Sequence, residues 1–294
     1  MVNGKAVAEE EAVVSVYDHG FLYGMGCFET FRTYAGYPWL LDLHLARLRS
    51  GLAELDIEWS ISDTDIRKDI ASLLEENQLD DVYIRLSVSA GSAEVGLPTT
   101  AYVSPTTILY GKPLPSGTDS PVYRAGKGLV QLKQPRRLPE TAVRHKSFHY
   151  MSSLLAKKEL NQYTWAKHPH GVEGLFLTAD GHLAEGMVSN LFFVRDGQVY
   201  TPSLHTGILP GVTRSYVIQL LKEIDVSVKE GLYDWSDLTE ADEIFMTNSI
   251  QELIPITALW DQHGQHQIVS RGEIGYHTEQ WLRLYRRQVH NREG

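Results

Sequence analysis

The sequence predicts an α+β protein of two domains, and three observations carry that expectation. Amphipathic helices and alternating strands intermix through the first third of the chain. A Gly-, Pro- and Ser-rich stretch, "GKPLPSGTDSP" (Gly111 to Pro121), then interrupts the pattern. Beyond it, strand and hairpin signals take over. The 294 residues can bury one large core or two of ordinary size. The expected division is a small N-terminal α/β domain over 1–112, a linker over 113–121 and a larger domain over 122–294.

Taken in order, "AVVSVYD" reads as a strand. "HLARLRSGLAEL" is an amphipathic helix with Leu45, Leu48, Leu52 and Leu55 on one stripe. "DIRKDIASLLEEN" repeats that pattern through Ile66, Ile70, Leu73 and Leu74. In "DVYIRLSVSAG", Val82, Ile84, Leu86 and Val88 face one way, while Tyr83, Arg85 and Ser87 face the other. "RHKSFHYMSSL" reads as the opening of a helix. "NLFFVRDGQVYTP" carries Asp196-Gly197 between two apolar runs, a hairpin signal. Val217, Leu220, Leu221 and Ile224 place a helix start near Thr213, directly after Gly211. "EIFMTNS" reads as a strand and "EIGYHTEQWLRLYRRQVH" as a closing helix.

Composition narrows the function classes. A formal charge of −10, with no long basic run, speaks against nucleic acid as a partner. One cysteine, Cys27, permits no internal disulfide and fits a reducing cytoplasm. No signal peptide or membrane-length apolar stretch is visible, so no membrane partner is expected. Twelve histidines occur without HExxH or CxxC spacing, and no metal site is expected.

Five segments carry candidate chemistry. Lys146 stands between two histidines and ahead of Tyr150. Arg47 lies on the polar side of its helix, as a solvated cation or an anion ligand. Glu185 precedes an apolar strand, as a turn residue or a functional carboxylate. Gly211 ahead of Val212 and Thr213 leaves backbone N–H groups at a helix start, which a plain N-cap or a phosphate can satisfy. Thr247, Asn248 and Ser249 end a strand as a turn or as anion donors. Together they supply an amine for an aldehyde, a carboxylate for a pyridine nitrogen, and a cation with oriented donors for a phosphate. That is the inventory for pyridoxal 5′-phosphate.

The ordered motifs "HGFLYGMGCFETFR", "HLARL", "HKSFHY", "AEGMVSNLFF", "LPGVTR" and "FMTNS" resemble the fold type IV pyridoxal-phosphate enzymes. That family includes branched-chain and D-amino acid aminotransferases and aminodeoxychorismate lyases, and the resemblance runs along nearly the whole chain. It implies a small N-terminal α/β domain and a larger C-terminal pseudo-barrel domain. It implies that Lys146 is the Schiff-base lysine and moves the substrate proton, that Tyr150 bonds the cofactor's phenolic oxygen, and that Glu185 partners the pyridine nitrogen. Arg47, Val212, Thr213 and Ser249, with Asn248 beside them, match the phosphate grip. Tyr23, Phe28 and Arg85 match the substrate pocket. Tyr83 shares a strand face with Arg85.

Within the family, "EGMVSN" and "TNSIQEL" depart from the branched-chain aminotransferase patterns, and "KSFHY" and "MTNSIQELIP" look most like aminodeoxychorismate lyases. The resemblance therefore implies elimination of pyruvate from aminodeoxychorismate to give 4-aminobenzoate for folate synthesis. The alternative is an aminotransferase of D- or branched-chain amino acids. Arg85 is the first candidate for a substrate carboxylate, ahead of Arg136, Arg137 and Arg144. A homodimer is expected by analogy with the family.

Overall fold

The computed structural model describes residues 1–114 and 120–291. Residues 115–119, the greater part of the expected linker, and 292–294 lie outside the described residues. The chain folds as two compact units, one from residues 1–114 with His145–His149, the other from 120–144 and 150–291.

The first unit contains α1 (His19–Tyr23), β1 (Gly26–Tyr34), β2 (Tyr37–Pro38), α2 (Leu41–Glu54), α3 (Asp63–Asn77), β3 (Val82–Ser89) and β4 (Thr106–Pro113). Its strands form an antiparallel sheet in the order β2-β1-β3-β4. The alternation in β3 is realised, with Val82, Ile84, Leu86 and Val88 buried against Leu45, Leu48 and Leu52 of α2 and Ile66 and Ile70 of α3. Pairing of Thr30 with Arg85 and of Phe28 with Ser87 sets these four residues on the opposite face.

Two local expectations fail. "AVVSVYD" forms no strand. Val13, Val14 and Val16 stay exposed, and its end is drawn into the start of α1, where Asp18 Oδ1 accepts the Gly20 N–H at 2.7 Å. Nor does "RHKSFHY" form a helix. Its backbone pairs with β1, the Phe28 N–H donating to Lys146 O at 2.8 Å and the Phe148 N–H to Gly26 O at 3.1 Å. Groups committed to a strand cannot also close helical turns, so the helix waits until Met151.

The second unit holds α4 (Val122–Ala125), β5 (Lys127–Gln131), α5 (Met151–Leu160), β6 (Val172–Leu177), β7 (Leu183–Gly186), β8 (Asn190–Arg195) and β9 (Gln198–Pro202). It continues with α6 (Val212–Lys222), β10 (Val228–Gly231), α7 (Trp235–Thr239), β11 (Glu243–Asn248), β12 (Glu252–Trp260), β13 (His266–Ile268) and α8 (Tyr276–His290). Strands run β10-β9-β8-β11-β12-β5-β6-β7, and pairing of β7 with β8 closes six of them into a pseudo-barrel. One apolar cluster takes side chains from all six. On the other face of β8 and β11, Phe192 stacks on Phe245 at 4.9 Å, and Trp281 of α8 packs edge-on at 5.8 Å. The hairpin forms as expected, with Asp196 and Gly197 at φ 51° and 72° in its two-residue turn.

Helix α8 has no side-chain cap from its own N-cap, Gly275. Glu243 on β11 serves instead, accepting the His277 and Thr278 N–H groups at 2.9 and 2.8 Å and the Thr278 hydroxyl at 2.8 Å. Glu243→Ala leaves those donors without an acceptor in a buried site. We expect a loss of about 2–4 kcal/mol, read as a lower urea midpoint of the second unit's transition.

Candidate active site

In the first unit the expected lysine shares a ring with one expected substrate residue and lies near a second. Lys146 Nζ lies 4.8 Å from the centroid of the Phe28 ring, and Arg85 Cζ lies 3.6 Å from the same centroid. Both cations thus share one buried aromatic ring, whose quadrupole favours positive charge. Arg85 is not a solvated sheet arginine: its Nε donates to Ser87 Oγ at 3.1 Å, and its side chain is half-buried. Tyr83 stands one alternation away, and burial pushes its phenol pKa up. Tyr23 is more exposed, and its hydroxyl accepts the Gly96 N–H at 3.0 Å.

Arg47 is also drawn in from solvent. Its Nε and Nη2 donate to the two oxygens of Glu29 at 2.7 and 2.6 Å, a bidentate pair. His44, one turn earlier on α2, meets the same carboxylate at 2.6 Å. Burial would raise the Glu29 pKa, but Arg47 and His44 outweigh it and hold the group at about 2. Burial lowers the His44 pKa, aided by Arg47 and Lys146 and opposed by Glu29. The influence of Lys146 ties this cluster to the neighbourhood of the lysine.

The second unit carries the remaining candidates. Glu185 lies in β7 and is buried opposite Asn190 of β8. Its Oε2 accepts the Leu209 N–H at 2.9 Å and Asn190 Nδ2 at 3.3 Å, while Arg136 Nη2 stands 2.6 Å from Oε1. Burial raises the Glu185 pKa, with Arg136, the Leu209 N–H and Arg144 pulling against it. The segment that supplies Leu209 runs on through Gly211 into α6. No side chain caps that helix start, and Gly211 is tightly packed: a Cβ there would stand 2.0 Å from Asn190 Oδ1. Thr213 Oγ1 and Ser249 Oγ approach to 3.3 Å at this end. Uncapped N–H groups with two hydroxyls suit a phosphate, and a buried carboxyl suits a ring nitrogen. The donor set therefore fits pyridoxal 5′-phosphate.

Asn248 and Tyr150 also belong to this unit. Asn248 uses its side chain on its own turn, Oδ1 accepting the Ile250 and Gln251 N–H groups at 3.0 and 2.7 Å. Tyr150 is the N-cap residue of α5, and its carbonyl accepts the Leu154 N–H at 3.1 Å. Arg137 is exposed, whereas Arg136 and Arg144 are largely buried around Glu185. Glu29, His44 and Asn190 were not singled out from sequence. A glutamate inside the apolar strand "CFETF" is the signal that could have found the first, because a buried charge requires a partner. His44 and Arg47, one turn apart on a helix, are the natural pair to supply it.

Residues 26–259 match the profile of the amino-transferase class IV family. The aminodeoxychorismate lyase of Bacillus subtilis (strain 168) is 39% identical over 292 residues, covering 99% of this chain and 94% of its own. A putative branched-chain-amino-acid aminotransferase of Methanocaldococcus jannaschii is 36% identical, with 95% of this chain and 92% of that protein covered. Among solved structures, a T.th. branched-chain amino acid aminotransferase with pyridoxamine 5′-phosphate superposes with a TM-score of 0.85. It is 26% identical, over 98% of this chain and 92% of that one. The chain belongs to the class IV aminotransferases, fold type IV enzymes that work with pyridoxal 5′-phosphate.

Proposed function

We propose that this enzyme is a 4-amino-4-deoxychorismate lyase, releasing pyruvate and leaving 4-aminobenzoate for folate synthesis. The observation that carries the reading is the full-length likeness to a lyase of that name. The arginine beside the lysine supports it, because the substrate is a dicarboxylate and Arg85 offers a planar fork on the same ring as Lys146.

When bound, pyridoxal 5′-phosphate supplies an electron sink for the carbon that bears the substrate amine. In our reading Lys146 would hold the cofactor through its amine and, once the substrate amine has taken its place there, the freed amine would remove the proton from that carbon. The C–O bond on the neighbouring carbon then breaks, the enol of pyruvate leaves, and the ring becomes aromatic without any oxidant. Glu185 keeps the proton on the ring nitrogen. Arg47, the Val212 and Thr213 N–H groups and the Thr213 and Ser249 hydroxyls hold the phosphate, with Asn248 shaping the turn beside them. Tyr150 meets the phenolic oxygen. Arg85 takes a substrate carboxylate, with Tyr23, Phe28 and Tyr83 lining the pocket. We place the enzyme in the cytoplasm as a homodimer. No helix among the described residues is long and apolar enough to cross a membrane.

The second reading, an aminotransferase of branched-chain or D-amino acids, rests on the 36% identity to the archaeal relative. One assay separates the two: purified protein receives aminodeoxychorismate with no keto-acid acceptor, and pyruvate is followed. We expect stoichiometric pyruvate and 4-aminobenzoate. No pyruvate, together with turnover of an amino acid plus 2-oxoglutarate, assigns the chain to the transaminases.

A further inference from the structure

Two guanidinium groups converge on the buried Glu185 carboxylate. Arg136 Nη2 is 2.6 Å from Oε1, and Arg144 Nε is 3.9 Å from the same oxygen. Neither arrives by chance of a mobile side chain. Arg136 lies over the Phe176 ring at 5.1 Å, and Arg144 is held by hydrogen bonds to the Gly207 and Arg137 carbonyls. The other oxygen is fixed separately. Oε2 takes the Leu209 N–H, and Asn190 Nδ2 reaches both Oε2 and Leu209 O, the latter at 3.0 Å. One carboxylate oxygen thus takes neutral donors, and the other faces two guanidinium groups.

We propose that Arg136 is a positioning residue that drives the proton shared by Glu185 and the cofactor's ring nitrogen onto the nitrogen. This rests on the reading of Glu185 as the ring's partner. A carboxylate buried to this depth holds a proton tightly, because burial disfavours its charged form. A carboxyl that keeps the proton leaves the ring nitrogen neutral and the electron sink weak. A guanidinium at 2.6 Å stabilises the carboxylate, weakens it as a base, and so favours the protonated ring. The charged groups facing Glu185 are Arg136 and Arg144, both from the segment between β5 and α5. Asn190 of β8 and the Leu209 amide ahead of α6 face it as neutral donors. Arg144 stands beyond hydrogen-bond distance, which leaves Arg136 as the main source of the effect.

The test loads the enzyme with pyridoxal 5′-phosphate labelled with nitrogen-15 in the ring and reads the ring resonance by NMR. Wild-type protein is expected to show a protonated ring nitrogen at pH 8. In Arg136→Gln the resonance moves toward the unprotonated position, and kcat falls by about tenfold, the equivalent of one pKa unit, with KM little changed. Arg136→Lys restores part of both, since it keeps the charge but loses the planar fork. A ring resonance identical in wild type and Arg136→Gln overturns the proposal. Should the glutamine variant fail to fold, wild type decides alone: a neutral ring nitrogen at pH 8 sinks the idea. A wild-type protein that takes up no cofactor overturns the proposed function instead, a result distinct from bound cofactor with a neutral ring.

Discussion

Lys146→Ala is expected to purify folded and to lose at least roughly 10³-fold in turnover, whichever of the two reactions the enzyme performs. In the proposed mechanism Lys146 supplies both the amine that attaches the cofactor and the base that moves the substrate proton, and Phe28, Arg85 and His44 cannot replace both. Phe28 is apolar, the Arg85 guanidinium donates hydrogen bonds but accepts none, and His44 is buried and already committed to Glu29. Borohydride reduction of the holoenzyme followed by peptide mapping gives the independent check. Wild type should carry the pyridoxyl mass on the peptide containing Lys146, and the variant should carry none. An adduct on any other lysine would remove the basis of the site assignment.

The second large effect concerns Arg47. Removing it leaves the Glu29 carboxylate buried with only His44 for company, and breaking a buried pair costs about 3–5 kcal/mol. Arg47→Ala should therefore melt well below wild type at pH 7. The pH dependence has a definite sign. A carboxyl held at about 2 in the folded protein contributes stability that is fully present above its unfolded value, roughly 4.3. That contribution drains away as pH falls toward 2. The gap between wild type and Arg47→Ala should accordingly be widest near neutrality and close in acid, as followed by thermal unfolding between pH 2 and pH 7. A gap that stays constant would mean that Arg47 contributes packing rather than charge.

Much of the fold was legible because periodicity reports burial directly. The stripe of Leu45, Leu48 and Leu52 and the alternation of Val82, Ile84, Leu86 and Val88 are the imprint of two elements packed face to face. Asp196-Gly197 marked its hairpin through backbone requirements that few other residue pairs meet. "AVVSVYD" and "RHKSFHY" misled for the complementary reason. Local composition suits a strand or a helix there, but "RHKSFHY" pairs with distant β1, and the end of "AVVSVYD" turns on local bonds, the Asp18 N–H to Ser15 O and the Gly20 N–H to Asp18 Oδ1. In the site, the lysine, the carboxylate and the helix start were readable as residue types suited to a known chemistry. The partners that tune them were not. Glu29, Asn190 and the Leu209 amide acquire their roles only through tertiary contacts, as does the convergence of Arg136 on Glu185.

The strip His145–His149 belongs to the first unit although the chain reaches it only after entering the second. During vectorial synthesis on the ribosome, β1 therefore emerges without the neighbour that later pairs with its Gly26 and Phe28 backbone groups. The first unit cannot finish folding as an autonomous N-terminal fragment. A nick within 115–119 would leave the lysine on the wrong piece of polypeptide, so two separately expressed halves would regain a complete first unit only by noncovalent complementation.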